Sequence, residues 1–195
     1  MIAIVDLGIG NFASVEKALE GRITMSPEVL DRADKIVLPG VGNFGEVVEQ
    51  LRPMRKTILR KISSGTPLLG ICLGMQLLFP ESSEGEGEGL SVLQGQVSDL
   101  PADASPHIGW NQVFPKEGNT LLEDIEPGSF FYFTHSYYVN PENEAIITGR
   151  TEYESNDQVG AFPATVRREN VFGVQFHPEK SSANGQRVLK KFKQL

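Results

Sequence analysis

Hydrophobic residues follow two regimes along the chain. Up to about residue 80, short apolar runs alternate with stretches in which apolar positions recur every three or four residues. Residues 2–5 (Ile-Ala-Ile-Val) form a compact apolar run, the mark of a buried strand. Phe12, Val15 and Leu19 then recur at helical spacing, and Gly21 stops the pattern. Residues 23–25 read as a second short strand. Ser26 and Pro27 read as an N-cap followed by proline at the first helical position, opening a helix to residue 33. Residues 36–38 form a third strand, ended by Pro39-Gly40. Two helical patterns follow, over about 44–51 and 54–62. Residues 67–72 are a fourth apolar strand, and residue 74 starts another helix, to 79. Strands alternating with helices imply right-handed crossovers and a mainly parallel sheet, with ligands beyond the carboxyl ends of its strands. The loops after residues 6, 38 and 72 therefore fall on one rim.

The second half reads differently. Residues 81–89 (Glu-Ser-Ser-Glu-Gly-Glu-Gly-Glu-Gly) form an acidic, glycine-rich stretch expected to be solvated and mobile, a composition that active-site loops share. Short strand patterns follow at 96–98, 110–114, 129–133, 145–148, 160–167 and 171–176, with a hairpin turn at Arg168-Glu169-Asn170. A closing helix over 182–195 carries Val188, Leu189, Phe192 and Leu195 on one face and Arg187, Lys190, Lys191 and Lys193 elsewhere. The expected fold is α/β: a mainly parallel central sheet flanked by helices, with additional β-strands in the second half. No repeat or linker divides it, so residues 1–195 read as a single domain.

Composition narrows the classes. Hydrophobic content of 39% and charged content of 22% fit a globular chain. No apolar run approaches the roughly 20 residues that cross a bilayer, and the N-terminus reads as a strand, not a signal peptide. A net charge of −7 disfavours general nucleic-acid binding. The one cysteine, Cys72, excludes an internal disulfide and suits a reducing cytoplasm. One Cys and three scattered His give no metal-ligand spacing, so no metal or cofactor is expected.

Two stretches, 8–13 and 40–45, match G-x-G-x-x-G/A between a strand and a helix. The dinucleotide fingerprint also needs an acid about 20 residues on, closing the next strand. Glu28 and Asp31 lie inside a helix pattern, and the second loop leads only to Leu59-Arg60-Lys61. These loops read instead as tight turns, or, for the second, as backbone N–H groups that bind an oxyanion.

Gly70-Ile71-Cys72-Leu73-Gly74, between an apolar strand and a helix, has the form of a nucleophile elbow with Cys in place of Ser. Such a turn strains the backbone at the nucleophile and leaves room only for small flanking residues. A helix starting there favours the thiolate, and the Leu73 N–H would face a developing oxyanion. A lone cysteine is otherwise commonly a small core residue. Its base has three candidates. His177 ends an apolar strand, with Glu179 two residues on to hold one ring nitrogen. His135 lacks a nearby acid, and His107 follows Ser105-Pro106 in a loop.

Pro39-Gly40-Val41-Gly42, Gly70-Ile71-Cys72-Leu73-Gly74-Met75-Gln76 and Phe176-His177-Pro178-Glu179, in that order, resemble the class I (triad) glutamine amidotransferases. The resemblance implies a Cys72-His177-Glu179 triad that hydrolyses the side-chain amide of L-glutamine to glutamate through a cysteinyl thioester. It places the oxyanion between the N–H of Leu73 and one from Val41-Gly42, and glutamine against Gly40, Gly42, Gln76, Ser136 and Tyr137. Residues 6–11, 39–44, 107–111, 135–137 and 178–181 are similar to the branch whose glutaminase passes ammonia to a (β/α)8-barrel cyclase in histidine biosynthesis. That implies a cytoplasmic heterodimer without nucleic-acid or membrane partners, with Asn11, Trp110, Asn111 and Lys180 near the contact. Trp110 reads equally as a core aromatic. Another class I glutaminase, an unrelated Cys-His amide hydrolase and a binding module without chemistry are the alternatives.

Overall fold

A computed structural model describes residues 1–8, 12–101, 104–155 and 158–195. In chain order its elements are β1 (Ile2–Val5), α1 (Phe12–Leu19), β2 (Arg22–Thr24), α2 (Pro27–Asp31), β3 (Lys35–Gly40), α3 (Phe44–Ser63), β4 (Leu68–Cys72), α4 (Leu73–Gln76), β5 (Glu81–Ser82), β6 (Gly95–Asp99), β7 (His107–Pro115), β8 (Ser129–His135), β9 (Tyr137–Pro141), β10 (Ile147–Ser155), β11 (Gln158–Arg168), β12 (Val171–Val174) and α5 (Ser182–Gln194). A nine-stranded sheet runs in the order β2-β1-β3-β4-β12-β11-β10-β7-β8. From β2 to β12 its neighbours are parallel; from β12 to β8 they are antiparallel. β5, β6 and β9 form a second, three-stranded sheet.

Alternation along β1 sorts the core. Ala3 and Val5 pack with Phe44, Val47, Leu51, Met54 and Ile58 of α3. Ile2 and Ile4 pack on the other face with Val15 and Leu19 of α1 and Val188, Leu189 and Phe192 of α5. Leu195, read as part of that α5 stripe, is instead exposed at the helix end.

Three expectations about the elements need correction. The helix does not break at Pro53: α3 runs for 20 residues through it. Six buried side chains, from Phe44 to Ile58, keep one face across the proline. Each is worth roughly 1.5–3 kcal/mol on burial, against about 3 kcal/mol for an internal proline. Pro39 does not end β3. It pairs with Ile71 of β4, at a point where the ladder with β1 has stopped at Val37, so its missing N–H breaks no β1 bond.

The third concerns residues 73–93. α4 is a single turn. The carbonyls of Leu77 and Leu78 are taken by the N–H groups of Leu90, Val92 and Leu93, which close the base of an excursion. The acidic stretch 81–89 is therefore anchored rather than free. Its β5 pairs with β6. The Glu84 carboxylate accepts from the Phe44 N–H at 2.7 Å, at the positive end of α3. Arg55 donates to Glu88 at 2.9 Å and to the Gly89 carbonyl.

Candidate active site

β3 and β4 end side by side, Gly40 opposite Cys72, and β12 lies beside β4 with Val174 opposite Ile71. The carboxyl ends of these parallel strands thus present Cys72 and, three residues beyond Val174, His177. Cys72 sits at φ 53° and ψ −110°, a conformation that strains a non-glycine residue by about 1–3 kcal/mol. The flanking glycines answer to close backbone approach. A Cβ on Gly74 would lie 1.7 Å from the Leu38 carbonyl oxygen, and one on Gly70 2.4 Å from the Gly74 carbonyl oxygen.

His177 is held from several directions. Its N–H donates to the Tyr132 carbonyl at 2.8 Å, and its own carbonyl accepts from the Ser181 hydroxyl at 2.6 Å. Nδ1 meets Glu179 Oε1 at 2.8 Å, with both side chains nearly inaccessible. Nε2 is buried and has no hydrogen-bond partner among the described residues. The Cys72 sulfur lies beside the ring. Burial disfavours charge on the ring, but the Cys72 thiolate and the Glu179 carboxylate prevail and hold it up to about 10.

Cys72 opens into a cleft of about 270 Å³ lined by Val41, Gly42, Leu73, Gln76, Glu84, Pro106 and the 134–137 segment. This is just below the ~300–1,000 Å³ of drug-sized pockets and suits a small metabolite. Gly42 holds φ 119°, a left-handed conformation, so the turn after β3 depends on glycine there. Leu73 opens α4, where an N–H has no acceptor within the helix. Gly40 packs against Leu73 and Gly74, behind the lining. Gln76 is buried, and its Nε2 donates to the Tyr137 carbonyl at 3.1 Å and to Gln175 Oε1 at 3.3 Å.

Two residues in this site escaped the sequence reading. Gln175, fully buried, points Nε2 at Cys72 Sγ, 3.5 Å away. In sequence it is one polar residue in an apolar run. Glu84 reaches the cleft from the acidic stretch, its carboxyl raised by burial. His107, expected in a loop, instead begins β7 and is buried opposite His135.

The residues assigned to a partner contact separate. Trp110 is 50% exposed and meets Tyr132 edge-on, with the Lys180 ammonium over the Tyr132 ring at 5.7 Å. Ile108, Phe114 and Phe130 are exposed nearby on β7 and β8. Asn111, one residue from Trp110, turns to the other side of β7 and donates to the Glu152 carbonyl. Asn11 lies outside the described residues. Among those described, no group of three or more His, Cys, Asp and Glu is placed to hold a metal ion, and no helix is long and apolar enough to cross a membrane.

Residues 13–195 match the family model described as glutamine amidotransferase class-I. The imidazole glycerol phosphate synthase subunit HisH of Pyrococcus furiosus is 54% identical, covering 100% of this chain and 98% of that one. The subunit of the same name from Thermococcus kodakarensis is 54% identical over the whole of both. Among solved structures, PurLQS from Thermotoga maritima superposes with a TM-score of 0.76 at 19% identity, covering 98% of this chain and 96% of that one, a likeness of fold. The chain belongs to the class-I glutamine amidotransferase family and, within it, to the HisH subunits of imidazole glycerol phosphate synthase.

Proposed function

We propose that residues 1–195 act as one glutaminase domain in which Cys72, His177 and Glu179 are the catalytic triad. The observation that carries this is the strained Cys72 at the tip of β4, beside a buried His177 whose far nitrogen is engaged by Glu179. The Cys72 thiolate attacks the side-chain carboxamide carbon of L-glutamine. The N–H of Leu73 and one from Val41-Gly42 receive the oxyanion. His177 gives its proton to the departing nitrogen, ammonia leaves, and a glutamyl thioester remains. A water, deprotonated by His177, attacks the thioester and releases glutamate and the thiolate.

The cleft also suggests how the amino-acid end of glutamine is held. Its ammonium needs an anion, and Glu84 is the carboxylate on the lining. Gln76, Ser136 and Tyr137 complete that end, and Val41-Gly42, backed by Gly40, borders the amide. Glu84→Gln keeps an acceptor for the Phe44 N–H and removes only the charge. It is expected to raise the KM for glutamine about 10- to 100-fold, as for loss of a charged hydrogen bond, with a smaller change in kcat. Steady-state glutamate release checks this.

Ammonia freed into neutral water is mostly protonated and no longer nucleophilic, so the reading requires a partner that takes it directly. The exposed aromatic face of β7 and β8, centred on Trp110 and Tyr132 with Lys180 above, suits docking of a (β/α)8-barrel cyclase in a cytoplasmic heterodimer. The test is glutamate release with and without the cyclase and its ligand. Weak activity alone and strong stimulation by the partner are expected. A chain fully active alone and indifferent to the cyclase contradicts the subunit assignment.

A further inference from the structure

Two histidines that the triad does not use form a buried pair against the wall of the cleft. His107 Nδ1 lies 3.0 Å from His135 Nε2, and His135 Nδ1 lies 2.8 Å from the Tyr137 carbonyl oxygen. At the other end, His107 Nε2 lies 3.2 Å from Asn111 Nδ2, which also meets the Glu152 carbonyl at 2.6 Å. His107 stacks on Phe133 at 4.8 Å, and Tyr153 closes its edge.

Both ends of this chain of bonds are carbonyls, which only accept, so its direction is fixed. Tyr137 requires a proton on His135 Nδ1. Glu152 fixes Asn111 with its amide nitrogen toward His107, so His107 Nε2 must accept. His107 therefore carries its proton on Nδ1 and donates to His135 Nε2. A proton added to His135 Nε2 would set donor against donor there, or, after His107 shifts its own proton, at Asn111. Burial, which pushes His107 down to about 4 and His135 to about 3, agrees with two neutral rings.

We propose that His107 and His135 are positioning residues: His107 locks His135 as the Nδ1–H tautomer, and His135 through the Tyr137 carbonyl fixes the 134–137 wall against which the substrate binds. The chain leaves β8 at His135 and enters β9 at Tyr137, passing from one sheet to the other at Ser136. The Leu100 N–H holds the Ser136 carbonyl at 2.9 Å from the β6 side, and the His135 ring bridges the step to Tyr137. The same carbonyl takes the Gln76 amide, and Gln76 meets Gln175, which touches Cys72 Sγ. Its orientation thus bears on both the wall and the residues around the nucleophile. A neutral Nε2–H tautomer of His135 would turn a lone pair toward the Tyr137 oxygen and release the bridge.

The role rests on the glutaminase reading; the tautomers do not. Nitrogen-15 NMR of the labelled full chain should show both rings neutral with the proton on Nδ1 at pH 7. An Nε2–H or doubly protonated His135 overturns the proposal. Kinetics in the complex with the cyclase then separate positioning from bulk. An asparagine amide nitrogen falls near Nδ1 of a histidine, and a glutamine one near Nε2. His135→Asn, which keeps the donor to Tyr137 but loses the His107 contact, is expected to raise the KM clearly less than His135→Gln, which raises it about tenfold, as for one lost hydrogen bond. Equal KM values in the two variants overturn the positioning role. Should His135→Gln fail to fold, His107→Phe carries the test: it keeps the stack on Phe133 and removes the lock. The His135 signals should then show both tautomers and the KM should rise; an unchanged tautomer and KM overturn the proposal. A native complex without glutaminase activity overturns the functional reading instead, and leaves the tautomers to be judged alone.

Discussion

Replacing Cys72 by alanine is expected to lower glutamate release by roughly 10⁴- to 10⁶-fold, the range seen when a triad nucleophile is removed. The remaining parts of the site cannot substitute for it. Gln175 and Gln76 carry neutral amides, and Glu84 lies on the lining where it suits the ammonium end of the substrate. The protein should stay folded, because alanine fills most of the space of a buried cysteine and no hydrogen bond of the β4 ladder is lost. The substitution also has a signature that needs no turnover. The thiolate is, after burial, the largest influence on His177, and it acts upward. Without it the His177 ring should titrate lower than in the native chain. Histidine NMR across a pH series reads this shift. A ring that titrates unchanged would mean that the sulfur and the imidazole do not meet.

Gly74→Ala is expected to have the second largest effect, for a reason unrelated to reactivity. Its Cβ would sit 1.7 Å from the Leu38 carbonyl oxygen, and that oxygen belongs to the backbone of a central strand. Neither β3 nor α4 can yield without moving Cys72, which lies between them. The expected loss is about 3 kcal/mol or more, the upper range for overpacking, read as a fall in the urea midpoint. Activity should fall with it, since the elbow cannot hold its angle when α4 shifts. Gly118→Ala is the control. Nothing lies within 4 Å of a Cβ there, and only its left-handed backbone, at φ 80°, resists the change. That costs about 1 kcal/mol. Native stability in the Gly74 variant would show that α4 does not press on β3 as described.

The contrast between these two positions explains what could be read from the sequence. The elbow is local: Gly70, Cys72 and Gly74 lie within five residues, and the steric reason for each glycine is set by neighbours in the chain and one adjacent strand. His177 and Glu179 are two apart, so their pairing was equally visible. Sites assembled from distant segments were not. Glu84 reads as one acid among four in a glycine-rich stretch because its anchor, the Phe44 N–H, lies 40 residues away. The His107–His135 contact depends on cross-strand register between β7 and β8, which alternation alone does not fix. α3 passes through Pro53 because burial of its apolar face outweighs a local penalty. Trp110 reads equally as core or surface from its sequence neighbours, and the fold places it with Ile108, Phe114 and Phe130 on an exposed face of β7 and β8.

The central claim is that the Cys72 sulfur, activated by His177, is the atom that attacks a glutamine side chain in this cleft. An electrophilic glutamine analogue, incubated with the complex and followed by peptide mass spectrometry, tests it most directly. One adduct per chain on the Cys72 peptide, suppressed by excess glutamine and strongly slowed in His177→Asn, is the predicted result. An analogue that leaves Cys72 unmodified, or that labels it at the same rate without His177, would contradict the account.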